Sequence, residues 1–219
     1  MNPANISTFN LKDTDYVLDV GGGHVPFPRA NVIVDNFPEN EYNQPQRANT
    51  PMVIPEGAKL IKADATDMPF KDKEFDFVVC AETLNHVKDP VGACKEIIRV
   101  GKRGYIEIPS ALTEVFISHP EHLWVALWNG SKLMFIKNNF PENTMAILDK
   151  GAVNPKSVNL HIQKEAWRII QEKVSAKCRE AIYIEFVWDG SFEYGLIENN
   201  TKFNWGFITE DFLLNGWRF

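Results

Sequence analysis

Residues 16–23 read YVLDVGGG, a short apolar run that leaves the polar segment Lys12 to Asp15 and stops at three consecutive glycines. Four similar runs follow: NVIVD at 31–35, LIKAD at 60–64, FDFVVCA at 75–81 and GYIEIP at 104–109. Short runs rich in Val and Ile, bounded by turn residues and lacking strict alternation, predict strands buried on both faces of a parallel sheet. Helices must then cover both faces. One is well marked. Asp89 suits the N-cap, Pro90 the first helical position, and Val91, Cys94, Ile97 and Ile98 recur at helical spacing before Gly101, so a helix is predicted from Pro90 to Val100. Strand, helix, strand in that order is a right-handed crossover unit with parallel strands. The expected class is therefore α/β, with a doubly wound sheet.

The chain has 219 residues, 23 basic and 29 acidic side chains and a formal charge of -6. With 44% apolar and 24% charged residues it can bury a full core, so disordered, collagen-like and coiled-coil readings are excluded. The acidic balance argues against general nucleic-acid binding and makes a small molecule the expected partner. Cys80, Cys94 and Cys178 are odd in number and set in apolar runs, which suits reduced core thiols. No apolar stretch approaches the roughly 20 residues that span a bilayer, and the start has no signal-peptide pattern. The expectation is one cytoplasmic domain over 1–219, with no membrane contact. Its first part, about 15–110, carries the strands, and its second part, about 111–219, holds all six tryptophans.

Ligands of a doubly wound sheet bind beyond the carboxyl ends of its strands. Asp19 and the glycines end the first run, Asp35 the second and Asp64 the third, while Glu82 lies just past the fourth. Acids at four successive strand ends suit a ligand rich in hydroxyl and amino donors. Glycines at the first bend let the main chain turn sharply and come close to a ligand.

These residues, taken as LDVGGG (18–23), VIVDN (32–36), KADATDMPFKDKEFDFVV (62–79) and LNHVKDPVGACKEIIRVGKRGYIEIP (84–109), resemble the small type-11-like class I S-adenosylmethionine-dependent methyltransferases. The resemblance implies a Rossmann-like mixed sheet of seven strands, S-adenosyl-L-methionine as cofactor, and methyl transfer to a small-molecule acceptor. It places Asp19, Gly21, Gly22 and Gly23 at the methionine end, with His24 in the loop beyond. Asp35, with Asn36 beside it, is placed at the ribose hydroxyls. Asp64 and the Ala65 main-chain N–H are placed at the adenine, with Met68 and Phe70 packed near the base. Glu82 completes the row.

Two features depart from that family. Asp19 and Asp35 are only 16 positions apart, and Pro26 and Pro28 fall between them, so the first crossover helix is expected to be one turn or none. Residues 37–57 are rich in proline and polar side chains and read as an irregular excursion, either folded over the cofactor or lying on the surface. A methyltransferase-shaped binding protein that transfers nothing is therefore an alternative. A nicotinamide oxidoreductase is another, weakened by the absence of G-x-G-x-x-G, since position 26 is proline.

The sulfonium donor is already activated, so positioning can supply much of the rate, roughly 7 to 11 kcal/mol when the atoms are aligned. A base is needed only if the acceptor loses a proton. Candidates are His86, in Leu84-Asn85-His86-Val87, and the pair His119 and His122. His86 can equally hold the strand-to-helix turn. The pair can contact substrate, form a turn or bind a metal, but Pro120 and the missing further ligands argue against the metal, and none is expected. Leu123 to Trp128 and Lys132 to Lys137 flank Asn129-Gly130, which predicts a β-hairpin inserted after the fifth strand, with Trp124 and Trp128 facing either core or substrate. A helix is expected at 163–178, strands at 181–188 and 202–208, and a docked terminus at 217–219.

Overall fold

The glycine-ended run becomes a central strand of the main sheet. The computed structural model describes residues 9–36, 52–117, 121–138 and 179–197. In chain order the elements are β1 (Val17–Val20), β2 (Val32–Asp35), β3 (Lys59–Lys62), β4 (Phe77–Ala81), α1 (Pro90–Val100) and β5 (Arg103–Pro109). There follow α2 (Ala111–Ile117), β6 (Trp124–Trp128), β7 (Lys132–Lys137), α3 (Arg179–Ile182), β8 (Tyr183–Asp189) and β9 (Glu193–Leu196). The main sheet runs β3-β2-β1-β4-β5-β8. Its first five strands are parallel and β8 pairs antiparallel with β5. Strand order reverses between β1 and β4, which places the crevice for a ligand beside the glycine bend.

Alternation along the strands divides the core between the two faces. Leu18, Val20, Val32, Val34, Val78, Cys80, Ile106 and Ile108 pack with Ala93, Cys94, Ile97 and Val100 of α1. Asp89 caps that helix by accepting from the Gly92 N–H at 2.9 Å, as expected. Val17, Ile33, Phe77, Val79 and Tyr105 form the other face. No helix occurs in residues 21–31, all of which are described. Phe27 and Ala30 fill the space instead, together with Phe9, whose ring centroid lies 4.5 Å from Tyr105 and 5.6 Å from Phe77. Arg103 fastens this plug: it donates to the Phe9 carbonyl at 2.9 Å, pairs with Asp15 at 2.6 Å and lies over the Phe77 ring. Cys80 and Cys94 are buried free thiols, and burial raises both pKa values.

Three elements differ from the sequence expectation. The hairpin forms around Asn129-Gly130 as expected, with the Asn129 side chain accepting from Ser131 and Lys132 N–H groups. It does not stand alone, because β9 adds parallel to β7 and completes a second sheet, β6-β7-β9. Helix α2 was not expected. Its Ser110 hydroxyl accepts from the Thr113 N–H at 3.3 Å in the manner of a cap. The strand expected at 181–188 starts later, since Ser110 and Thr113 hydroxyls take the Ala181 and Ile182 carbonyls at 2.7 and 2.6 Å and hold 179–182 in a helical turn. Six of the expected seven main-sheet strands are thus seen among the described residues. The expected elements at 163–178, 202–208 and 217–219 lie outside those residues, as does Cys178.

Gly104 shows how tightly β5 is seated. A Cβ there would stand 2.3 Å from the Val78 carbonyl oxygen and 2.8 Å from the Trp188 ring. Gly104→Ala should lower unfolding stability by about 1 to 3 kcal/mol or more, the range typical of overpacking. Urea unfolding checks this: the midpoint should fall at constant slope, and an unchanged midpoint would contradict the packing described.

Candidate functional site

The bend after β1 has left-handed backbone at Gly21 (φ 71°) and Gly23 (φ 58°), which L side chains rarely adopt. Each glycine meets different surroundings. A Cβ at Gly21 would fall 2.2 Å from the Thr83 hydroxyl, and one at Gly22 would crowd Ile33, the Asp19 carboxylate and Pro26. Above Gly23 the nearest atom is the Gly21 carbonyl at 3.9 Å. The first two glycines therefore admit the protein's own side chains, and Gly23 alone has open space over its Cβ position.

Asp19 is turned inward. It is 3% exposed and accepts from the Phe27 N–H at 2.6 Å, which closes the loop that replaces the crossover helix. Burial, with help from the neighbouring Asp35, lifts its pKa to about 7 against the Phe27 hydrogen bond. Asp35, also buried, ends β2 on the same face. The Gly21 N–H donates to the Val34 carbonyl at 2.7 Å, so bend and strand end are adjacent. Asn36 donates to Asp64 at 3.0 Å, drawing the β3 side onto the same ledge. The other Asp64 oxygen accepts from both the Thr66 N–H and hydroxyl, which turns the chain at Ala65. Gly21 to Gly23, Asp35, Asn36 and Asp64 thus stand together at one edge of the crevice, whereas the Asp19 side chain faces the loop behind it and Ala65 packs into the core. His24 lies on the rim of the crevice, exposed, with its carbonyl accepting from the Val53 N–H at 3.2 Å. Residues 52–54 therefore reach back to the bend, while 37–51 lie outside the described residues.

Met68 and Phe70 pack against the core. Met68 is 2% exposed, and Phe70 packs edge-on against Phe75. Arg99 holds that loop through the Met68 and Phe70 carbonyls, Glu96 and Asp72.

Glu82 is left-handed at φ 52°, uncommon for a side chain other than glycine, and is exposed. Its charge acts toward the opposite edge of the crevice, on Glu107 and on His122. There the His86 ring donates from Nδ1 to the Glu121 carbonyl at 3.2 Å and meets the His122 ring edge-on, centroids 4.6 Å apart. His122 Nδ1 lies 2.6 Å from the buried carboxylate of Glu114. His119 lies outside the described residues. Trp124 and Trp128 pack, the first donating to the Val87 carbonyl and the second stacking on Phe186 at 4.3 Å. No group of three or more metal-ligating side chains occurs among the described residues, and no described helix is long and apolar enough to cross a membrane.

Residues 18–106, β1 through most of β5, match the family model described as a methyltransferase domain. Over this stretch, 89 of the 219 residues, the chain is similar to a methyltransferase domain. Over 95 residues the chain is 38% identical to cycloartenol-C-24-methyltransferase 1 of Oryza sativa subsp. japonica, covering 40% of this chain and 28% of that protein. Over 77 residues it is 36% identical to demethylmenaquinone methyltransferase of Staphylococcus carnosus, covering 35% and 31%. The chain thus spans under a third of the length of these curated relatives. Among solved structures, a SAM-dependent methyltransferase of Thermotoga maritima aligns at 24% identity and TM-score 0.34 over 47% of each chain.

The matched stretch thus has open space over Gly23, with Asp35 and Asp64 as acceptors beside it for hydroxyl and amino donors. Two residues around the crevice escaped the sequence reading. Thr83, whose hydroxyl lies 3.1 Å from the Val20 carbonyl, carried no motif beyond its place after β4. Glu114 did leave a trace, as a lone acid in the apolar run ALTEVF.

The buried Asp19 makes stability depend on pH. Folded protein holds its proton up to about 7, whereas the unfolded chain releases it near 3.8, so this contribution is full below about pH 4 and is lost as pH rises to about 7. Relative to Asp19→Asn, which lacks the titration, wild type should weaken by on the order of 1 kcal/mol per pH unit across that window. Urea midpoints of both proteins at pH 4, 5.5 and 7.5 check this, and parallel profiles would contradict it.

Proposed function

We propose that this protein transfers the methyl group of S-adenosylmethionine to a small-molecule acceptor. The observation that carries the reading is the convergence of the glycine bend, Asp35 and the Asn36–Asp64 pair on one crevice edge within the matched domain. The cofactor supplies a methyl group on cationic sulfur, ready for displacement by a nucleophile. Asp35 accepts hydrogen bonds from the ribose hydroxyls, Asp64 and the Ala65 N–H take the adenine edge, and the main chain at Gly22 and Gly23 borders the methionine end. The acceptor enters from the opposite edge, where Glu82, His86 and His122 stand. A small acceptor fits the names of the curated relatives, which refer to a sterol and a quinone precursor. It also fits the net charge of -6, which disfavours polyanions.

Titration calorimetry tests the binding half. Wild type should bind S-adenosylmethionine, and Asp35→Ala should weaken binding by about 1.5 to 3 kcal/mol, the value of hydrogen bonds to a charged acceptor. No heat at millimolar cofactor would overturn the proposal. Binding without transfer of label to any small molecule would leave a binding protein instead.

A further inference from the structure

His122 is held more closely than packing requires. Its Nδ1 is 2.6 Å from Glu114 Oε1, and Glu114 is 1% exposed. Glu114 comes from α2, whose start is pinned to α3 by the Ser110 and Thr113 hydroxyls. The His122 main chain is fixed by Asn138, which donates to its carbonyl at 2.9 Å, and by the next residue, Leu123, which donates to the Asn85 carbonyl at 2.8 Å. The His86 ring closes another side at an interplanar angle of 87°. Four segments of chain thus position one imidazole, at the carboxyl ends of β4 and β5. That is the end at which Thr83 ties β4 to the glycine bend.

An Nδ1–H donated to the Glu114 carboxylate would leave the ring lone pair on Nε2, as in bases oriented by a buried acid. We propose that His122 accepts the proton lost by the methyl acceptor and that Glu114 is its positioning residue, so that the acceptor is an oxygen or nitrogen nucleophile bearing a proton. This rests on the methyltransferase reading above. In the step, the lone pair on the acceptor O or N attacks the methyl carbon, the carbon–sulfur bond breaks with its electron pair going to sulfur, and neutral S-adenosylhomocysteine leaves. The proton on the acceptor passes to Nε2, giving an imidazolium paired with Glu114, and is later released to water.

The surroundings keep the ring neutral and able to take a proton before the step. Burial holds the free His122 pKa down to about 4, so the ring is neutral at physiological pH. Glu82 after β4 opposes that shift, while Glu114 from α2 and His86 after β4 stand against the ring. The charge of Glu82 works against the burial penalty when the cation forms, and it disfavours a phosphate or carboxylate on the acceptor.

Three measurements on the full chain test the proposal. Nitrogen-15 spectra of histidine-labelled protein should show His122 at pH 7 as the neutral Nδ1–H tautomer. Glu114→Gln should mix the tautomers. A protonated ring or the Nε2–H tautomer in wild type overturns the assignment. Acylation by diethyl pyrocarbonate, read by peptide mass spectrometry, should be about tenfold faster at His122 in wild type than in Glu114→Gln, and equal rates overturn it.

Transfer of labelled methyl from S-adenosylmethionine to a pool of amines, phenols and sugars should fall at least 100-fold in His122→Asn. It should fall less in Glu114→Gln, and a fall under threefold in His122→Asn overturns the base role. Calorimetry should give both variants the wild-type cofactor affinity. Wild type that binds no cofactor refutes the proposed function instead. If no acceptor in the pool is methylated, spectra and acylation decide.

Discussion

The crevice depends on the contact between Gly21 and Thr83. The threonine hydroxyl occupies the place of a side chain at position 21 and lies 3.1 and 3.3 Å from the Val20 and Gly21 carbonyls. A hydroxyl has one proton to donate, so it serves these acceptors in turn. This contact brings the ends of β1 and β4 together where the sheet order reverses. The bend can then face Asp35 on one side while Glu82 and the histidines stand on the other. The left-handed geometry at positions 21, 23 and 82 follows, because each residue must leave its strand sharply to keep the crevice open.

A second constraint lies deeper. Glu107 and Glu185 stand directly opposite each other on β5 and β8, an arrangement that is unfavourable when both are charged. Arg179 spans both at 2.7 Å, and the Tyr105 hydroxyl lies within 2.7 Å of each. Burial keeps the Glu107 pKa above the usual carboxylate range. The seam between the parallel strands and β8 is therefore an ionic junction whose partners come from β5, α3 and β8. The expected two-residue register of a strand could not reveal it, since Glu107 sits inside the apolar run GYIEIP as if it were a core position.

How much of this was legible follows from the range of each signal. Parallel strands, α1 with its Asp89 cap and the Asn129-Gly130 hairpin are encoded within a few residues, and they were read within two residues of their observed bounds. The missing first helix was legible as well, because Pro26 and Pro28 act locally. What replaces it was not, since Phe9 plugs that face from outside the motif and through contacts with Phe27, Phe77 and Tyr105. The glycine bend and the strand-end acids were legible because a motif names their positions. Even so, Asp19 and Met68 turned inward, since residue type does not reveal which way a side chain points at a strand end. Glu114 stayed hidden because its partner lies across a turn in space, and α2 is a short helix with a weak periodic signal. The pairing of β7 with β9 links residues some sixty positions apart, beyond the reach of any local pattern.

That last pairing has a consequence for assembly. The hairpin of β6 and β7 can close early from neighbouring residues, yet its third strand is delivered by the turn at Asp189-Gly190, directly after β8 has run the length of β5. Loop-closure entropy makes such distant pairings late events in folding. The second sheet is thus completed only once the main sheet has zipped to its far margin, and anything that peels β8 away must dismantle that smaller sheet first.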